Sequence, residues 1–285
     1  MTNLSACLFF AGWLLTCVAS FAGEDQQSSL GTAWFKLVSR TQAEQPHWIT
    51  PVVTVTPRLE QEFRYDISRQ QRPPGGDTTT IYGGGKGLEL IPAERVEIIL
   101  GIPSYLAHSG SSVLDGWGDF SFLVKYRLAA ENEEGGNYIV TAFLGGTVPT
   151  GTNKNGAEHP VITPTIALGK GWGDFSVLST LGVGLPTADG DRLGRPVSHN
   201  TAFQYRLHRK LWPELEVNST YWLNGDRAGK KQVFLTPGLV VGRIPLRGRL
   251  GLTLGTGFQI AATHFHAFNH TFNHTFIFTI RLPFS

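Results

Sequence analysis

The sequence predicts an all-β protein, a transmembrane antiparallel up-and-down β-barrel of outer-membrane type with about twelve strands. Three observations carry that reading. The chain closes with Phe276, Phe278, Ile280, Leu282 and Phe284 at one parity and Thr279 and Arg281 at the other, so its last strand has one apolar and one polar face. Charged residues make up only 16% of the chain, against about a quarter in a soluble domain, beside 34 Gly, 18 Phe, 7 Trp and 7 Tyr. Beyond the N-terminal stretch, no segment approaches the ~20 apolar residues of a membrane helix. Period-two segments recur from Trp48 to the end, joined by alternately short and long connections. A soluble β-sandwich or barrel is the competing class. The net charge of +2 is too small to imply a nucleic-acid partner.

Taken in order, Leu4 to Ala22 is uncharged, rich in Leu, Phe and Ala, and ends in Ser20-Phe21-Ala22, which predicts a signal peptide over residues 1–22. Its start, Met1-Thr2-Asn3, lacks Lys and Arg, so an uncleaved anchor is the alternative. A lipoprotein cut before Cys17 is poorly matched. Cys7 and Cys17 both fall here, so the processed chain has no disulfide and no thiolate metal site. Residues 23–47 predict a lead: a short helix or plug at the periplasmic mouth, or a disordered leader. Residues 48–284 form the barrel.

The first strand is expected to run from about Trp48 to Ile67, with Val53, Val55, Leu59, Phe63 and Tyr65 on one face and Arg58, Glu60, Glu62, Arg64 and Asp66 on the other. Arg72 to Asp77 is an exposed loop. Strands follow at 79–91 and, after a turn at Pro92, at 93–102, where Val96, Ile98 and Leu100 oppose Arg95 and Glu97. Residues 104–116 read as a loop. In the next strand Phe120, Phe122, Val124, Tyr126 and Leu128 face out, and Lys125 and Arg127 face in. The remaining strands fall at 138–148, 160–169, 174–185, 197–208, 213–223, 232–243, 248–261 and 271–284, giving twelve, with ten or fourteen as alternatives. Gly-Trp-Gly-Asp-Phe-Ser occurs at 116–121 and again at 171–176. Three strands separate the copies, so Trp117 and Trp172 should anchor opposite membrane interfaces, and the repeat is a reused turn.

The candidate functional groups are the charges that parity sends into the lumen: Arg58, Glu60, Glu62, Arg64, Arg95, Glu97, Lys125, Arg127, Arg206, Glu216, Arg249 and Arg281. Opposed rings of such groups set selectivity in a pore. The plainer reading is that they pair inside a narrow barrel. Trp222 and Phe234 are expected to face the lumen as well, as contacts for hydrophobic solutes or as packing. His264, His266, His270 and His274 lie in the last extracellular loop and strand top, and read as an amphipathic interface belt; no cysteine or carboxylate completes a metal site. For catalysis, the string Ser198-His199-Asn200 cannot form a triad on a strand, because His199 points away from its neighbours. No carboxylate pair, phosphate loop or zinc spacing is present, so no enzyme activity, metal or cofactor is expected.

Gly116-Trp117-Gly118-Asp119-Phe120 ahead of Lys125-Tyr126-Arg127-Leu128, then Pro149-Thr150-Gly151, then Phe234-Leu235-Thr236-Pro237-Gly238-Leu239 and the closing aromatic strand, together resemble the bacterial MetA-pathway of phenol degradation family of outer-membrane proteins. The resemblance spans roughly residues 45–284, and it is the order of these short Gly-rich motifs that carries it. One departure is Ser285, a residue beyond the closing aromatic. The resemblance implies an outer-membrane transporter of small molecules, aromatic or hydrophobic ones among them, by passive diffusion, and it supplies no site residues. The partners expected are outer-membrane lipid, a small-molecule solute and the outer-membrane assembly machinery acting through the C-terminal strand. An outer-membrane lipid hydrolase, or a non-conducting barrel acting as an anchor or surface-binding protein, are the alternative functions.

Overall fold

The computed structural model describes residues 29–71, 77–84, 86–110, 113–263 and 273–285. The predicted signal peptide and His264, His266 and His270 lie outside them. A helix, α1 (Ser29–Ala43), leads into an extended segment, and the sheet begins with β1 (Glu62–Gln71). There follow β2 (Thr78–Tyr82), β3 (Gly87–Ala93), β4 (Val96–Gly101), β5 (Tyr105–His108), β6 (Gly116–Trp117), β7 (Phe120–Glu131), β8 (Tyr138–Val148), β9 (Val161–Trp172), β10 (Phe175–Val183) and β11 (Leu185–Pro186). A short helix, α2 (Gly190–Leu193), precedes β12 (Pro196–Tyr205), β13 (Leu211–Trp222), β14 (Lys231–Arg247), β15 (Leu250–Ala261) and β16 (His274–Pro283).

The strands pair antiparallel in a ring, β1-β3-β4-β7-β8-β9-β10-β12-β13-β14-β15-β16, and β16 returns to β1 to close a twelve-stranded barrel. The closing seam runs from Glu62 opposite Pro283 to Gln71 opposite His274, so both terminal strands lose their free edges. β2, β5 and β6 extend β3, β4 and β7 toward one end. The break between β2 and β3 falls at Gly83 and Gly84, at φ of 80° and 108°, where a side chain on Gly84 would press on Ser104. Short turns mark one end of the barrel and the long connections mark the other.

Alternation is inverted relative to a soluble protein. On β7, Phe122, Tyr126 and Leu128 are exposed on the outer face while Lys125 and Arg127 are buried. On β16, Phe276 is exposed while Thr279 and Arg281 are completely buried. An apolar outside around a polar inside is the arrangement a barrel takes in lipid. Trp172, stacked on Phe175, sits at the short-turn end, and Trp117, edge-on to Tyr105, sits at the long-loop end, as the repeat predicts. Among the described residues no helix is long and apolar enough to cross a membrane.

Four expectations fail. Residues 104–116 are not only loop, because β5 and β6 form there by pairing with β2 and with each other. The single strand expected at 79–91 is divided into β2 and β3, because Gly83 and Gly84 take positive φ and interrupt the ladder. Residues 48–61 are not strand: Pro51 and Pro57 lack the N–H groups a ladder needs, and the chain instead runs inside the barrel. Pro92 is not a turn but the penultimate residue of β3; the turn is at Glu94 and Arg95, and Pro92 sits next to a register shift in the β3–β4 ladder.

Candidate functional site

The barrel interior holds the chain's own N-terminal segment. Helix α1 lies across the short-turn end, where Trp34 and Val38, four residues apart on one face, pack on Leu59 and Ile91. The Trp34 indole donates to the Ile91 carbonyl at 2.8 Å. Arg40 pairs with Glu94. Arg249 bonds the Ser39 hydroxyl at 3.1 Å and lies 4.8 Å over the Phe35 ring. From there residues 44–61 enter the lumen and return, their two arms joined by the Gln45 amide, which bonds both the N–H and the carbonyl of Leu59 at 2.9 and 2.8 Å.

An extended segment without sheet partners must find partners for its backbone elsewhere. Here the charged wall residues supply them. Glu214 accepts the Val52 N–H at 2.8 Å, and Glu216 accepts those of Val53 and Thr54 at 2.7 and 2.5 Å. Glu97 accepts the Glu60 N–H at 2.6 Å. The cations take the carbonyls. Arg281 holds those of Thr50 and Pro51, Arg64 those of Pro51 and Val52, and Lys125 that of Arg58 at 3.1 Å. At the base Arg127 bonds the Thr41 carbonyl at 2.7 Å, and both the backbone and the ring of His47 bond Glu133. Burial pushes the Glu133 carboxyl up, but the His47 bonds outweigh it and hold its pKa below the ordinary range.

Apolar packing completes the plug. Trp48, Ile49 and Val52 form one buried cluster with Ile139, Leu178, Ala202, Trp212, Val240 and Ile277 of the inner wall. Trp48 lies against Gly169 and Gly171: a Cβ on Gly169 would meet its ring at 2.5 Å. The lower lumen is therefore a packed core of mixed polarity rather than a polar duct.

Of the predicted lumen charges, Glu62, Arg64, Glu97, Lys125, Arg127, Glu216 and Arg281 are buried on the inner wall. Arg58 and Glu60 are also buried, but they belong to the plug and pair with each other at 2.7 Å. Arg95, Arg206 and Arg249 are not in the lumen. They occupy short turns, where the chain reverses outside the wall and parity no longer applies, and Arg206 pairs there with Asp174 at 2.6 Å. Phe234 is buried as expected, whereas Trp222 sits half-buried beside Arg227 at the long-loop rim. Sequence reasoning missed Glu89, Glu214 and Lys86, all buried. Glu214 shares the parity of Glu216, so the signal for it was present. Lys86 lies in the β2–β3 break and has no parity to read. Among the described residues, the Lys86 ammonium and one carboxylate oxygen each of Glu62 and Glu89 are buried with no hydrogen-bond partner.

Asn200 faces inward onto Asn218 at 3.2 Å, while His199 faces outward and bonds the Ser179 hydroxyl at 2.9 Å. Thr201 joins the pair, so the three polar side chains satisfy one another on the apolar outer face. In the long-loop region Arg192 pairs with Glu158, and His159 with Asp189 at 3.0 Å.

A model of the family described as "Putative MetA-pathway of phenol degradation" matches residues 23–276. No curated protein matches the chain in sequence. Among solved structures, a NanC porin superposes with a TM-score of 0.51 at 9% identity, over 78% of this chain and 99% of that one. An outer membrane channel from Pseudomonas putida F1 aligns at 14% identity over 77% of this chain and 91% of that one, with a TM-score of 0.49.

Proposed function

Starting from the premise that the chain belongs to the MetA-pathway of phenol degradation family, we propose that it is an outer-membrane channel for small molecules, aromatic or hydrophobic ones among them, closed at rest by its own N-terminal plug. Passive diffusion through the barrel is the mechanism; no step calls for a nucleotide or cofactor. The observation that carries the reading is the way the plug is held. From Thr50 to Thr54, and again at Arg58 and Glu60, its backbone is bonded by charged wall side chains, contacts that can be exchanged for water when the segment moves. A barrel that served only as an anchor would need no such removable segment and could fill its lumen from the strands themselves.

The location follows from the same features: an apolar outer belt, aromatic anchors at both ends and a C-terminal strand that closes the barrel on β1. The family's printed description names phenol degradation, and a phenol is the solute to try first. The test is single-channel recording of the refolded barrel in a planar bilayer, with and without phenol, beside phenol flux into liposomes. Brief openings whose frequency phenol changes support the channel. A folded, heat-modifiable barrel that neither opens nor passes phenol refutes it.

The Ser179–His199 bond on the outer face favours one second reading, a lipid hydrolase acting from the barrel wall. Against it, no described side chain bonds the other ring nitrogen of His199 to orient the imidazole. Lipase activity abolished by Ser179→Ala would establish that reading, and its absence from the wild-type barrel would remove it.

A further inference from the structure

Above the plug, beside β4, β7, β8 and β9, the packing is incomplete. A half-open pocket of about 170 Å³ lies between the plug tip and the wall of β4, β7, β8 and β9, with Phe122 and Gly146 of the wall also bordering it. Val55 of the plug, Ile99 and Leu123 give it apolar surface; Ser121, Thr147 and Thr163 give it hydroxyls. The space exists because the wall carries Gly145 where a larger inward side chain would fill it, while Gly101 is required beside it because a Cβ there would clash with the Ser121 hydroxyl. Its upper residues, Gly101, Ser121, Thr147 and Thr163, lie within three residues of the long-loop ends of their strands. The cavity thus sits where a solute arriving through the long-loop mouth would meet the plug.

Resting on the channel reading, we infer that this cavity is a binding site for one uncharged single-ring molecule bearing a hydroxyl, the neutral form of a phenol. Size supports it: an apolar cavity of ~150 Å³ accommodates benzene. Chemistry narrows it. The hydroxyls of Ser121, Thr147 and Thr163 bond no other side chain among the described residues, and hydroxyls on the rim of an apolar pocket orient a ligand by its polar atom. None of the residues around the cavity is charged, so a benzoate would enter without a counter-ion and is rejected. Val55 makes the plug part of the site, so occupancy is felt by the segment that closes the barrel.

The test is calorimetric titration of the refolded full-length barrel in detergent with phenol, toluene and benzoate, detergent alone being subtracted. Phenol should bind, benzoate should not, and toluene should bind more weakly. Gly145→Leu fills the cavity. Its first added carbon meets Leu123 and Thr163 only at ordinary contact distances of 3.4 Å and beyond, so the barrel should still fold, and phenol binding should fall at least tenfold. Thr163→Val keeps the shape and removes one hydroxyl, and should reduce the preference for phenol over toluene about fivefold. Unchanged phenol binding in a heat-modifiable Gly145→Leu barrel overturns the site and leaves the channel reading standing. Benzoate binding as tight as phenol overturns the stated ligand class. A wild-type barrel that binds no phenol yet passes it into liposomes overturns the site alone; one that neither binds nor passes it overturns both.

Discussion

Glu216→Ala should convert a mostly closed barrel into one that opens often. The Glu216 carboxylate is completely buried on the inner wall and accepts the backbone N–H groups of Val53 and Thr54 at 2.7 and 2.5 Å, at the tip of the plug. Each is a charge-assisted bond of about 1.5–3 kcal/mol. Truncation removes both and leaves two N–H groups without acceptors unless the tip moves into water. Allowing for the neighbouring grip of Glu214 on Val52, the docked state loses about 3 kcal/mol, a shift of about 150-fold in the closed-to-open ratio. Recordings in a planar bilayer read that ratio directly as the fraction of time spent open. Arg192→Ala, in the long-loop region far from the plug, is the control and should record as wild type. If Glu216→Ala folds to a heat-modifiable barrel and spends no more time open than wild type, the wall charges are not what holds the plug, and the gating argument falls.

Other consequences follow from the same contacts. Arg281→Met removes the donors to the Thr50 and Pro51 carbonyls and should cost about 3 kcal/mol in urea unfolding from liposomes; a loss below about 1 kcal/mol would show that the carbonyls find other partners. Gly169→Leu drives a side chain into the space of the Trp48 ring and should displace it, seen as a red shift of tryptophan fluorescence with faster proteolysis of residues 44–61; an unshifted spectrum would contradict the packing. The Glu133 carboxyl titrates below its ordinary range when folded, so its contact with His47 is fully stabilising above the unfolded pKa of about 4.3 and is lost as the pH falls through the lower folded value. Hydrogen exchange at residues 44–47 should therefore quicken below about pH 4 in wild type, and Glu133→Gln should remove that step while exchanging faster at neutral pH.

Period two was enough to read the barrel, because lipid outside and polar contacts inside force every stave to alternate. β7, with Phe122, Tyr126 and Leu128 out and Lys125 and Arg127 in, and β16, with Phe276 out and Thr279 and Arg281 in, show the pattern at full strength. The same alternation misled at residues 48–61, where Val53, Val55 and Leu59 oppose Arg58 and Glu60 as a strand's would. Pro51 and Pro57 were the contrary sign, and each removes a ladder hydrogen bond. Parity also failed at Arg95, Arg206 and Arg249, because a residue in a turn has no inward face.

What the sequence determined by itself is the class of wall: twelve alternating segments, an aromatic terminal strand, anchoring tryptophans at both ends, and charges of both signs turned inward. What those charges hold was decided only by the tertiary structure. Glu216 and Arg281 lie more than 150 residues from the plug backbone they bond, and no local pattern marks a carboxylate as the acceptor for a distant N–H rather than as the rim of a pore. They meet only in the closed barrel, since the ring of staves makes the enclosure in which an unpaired segment can satisfy its backbone.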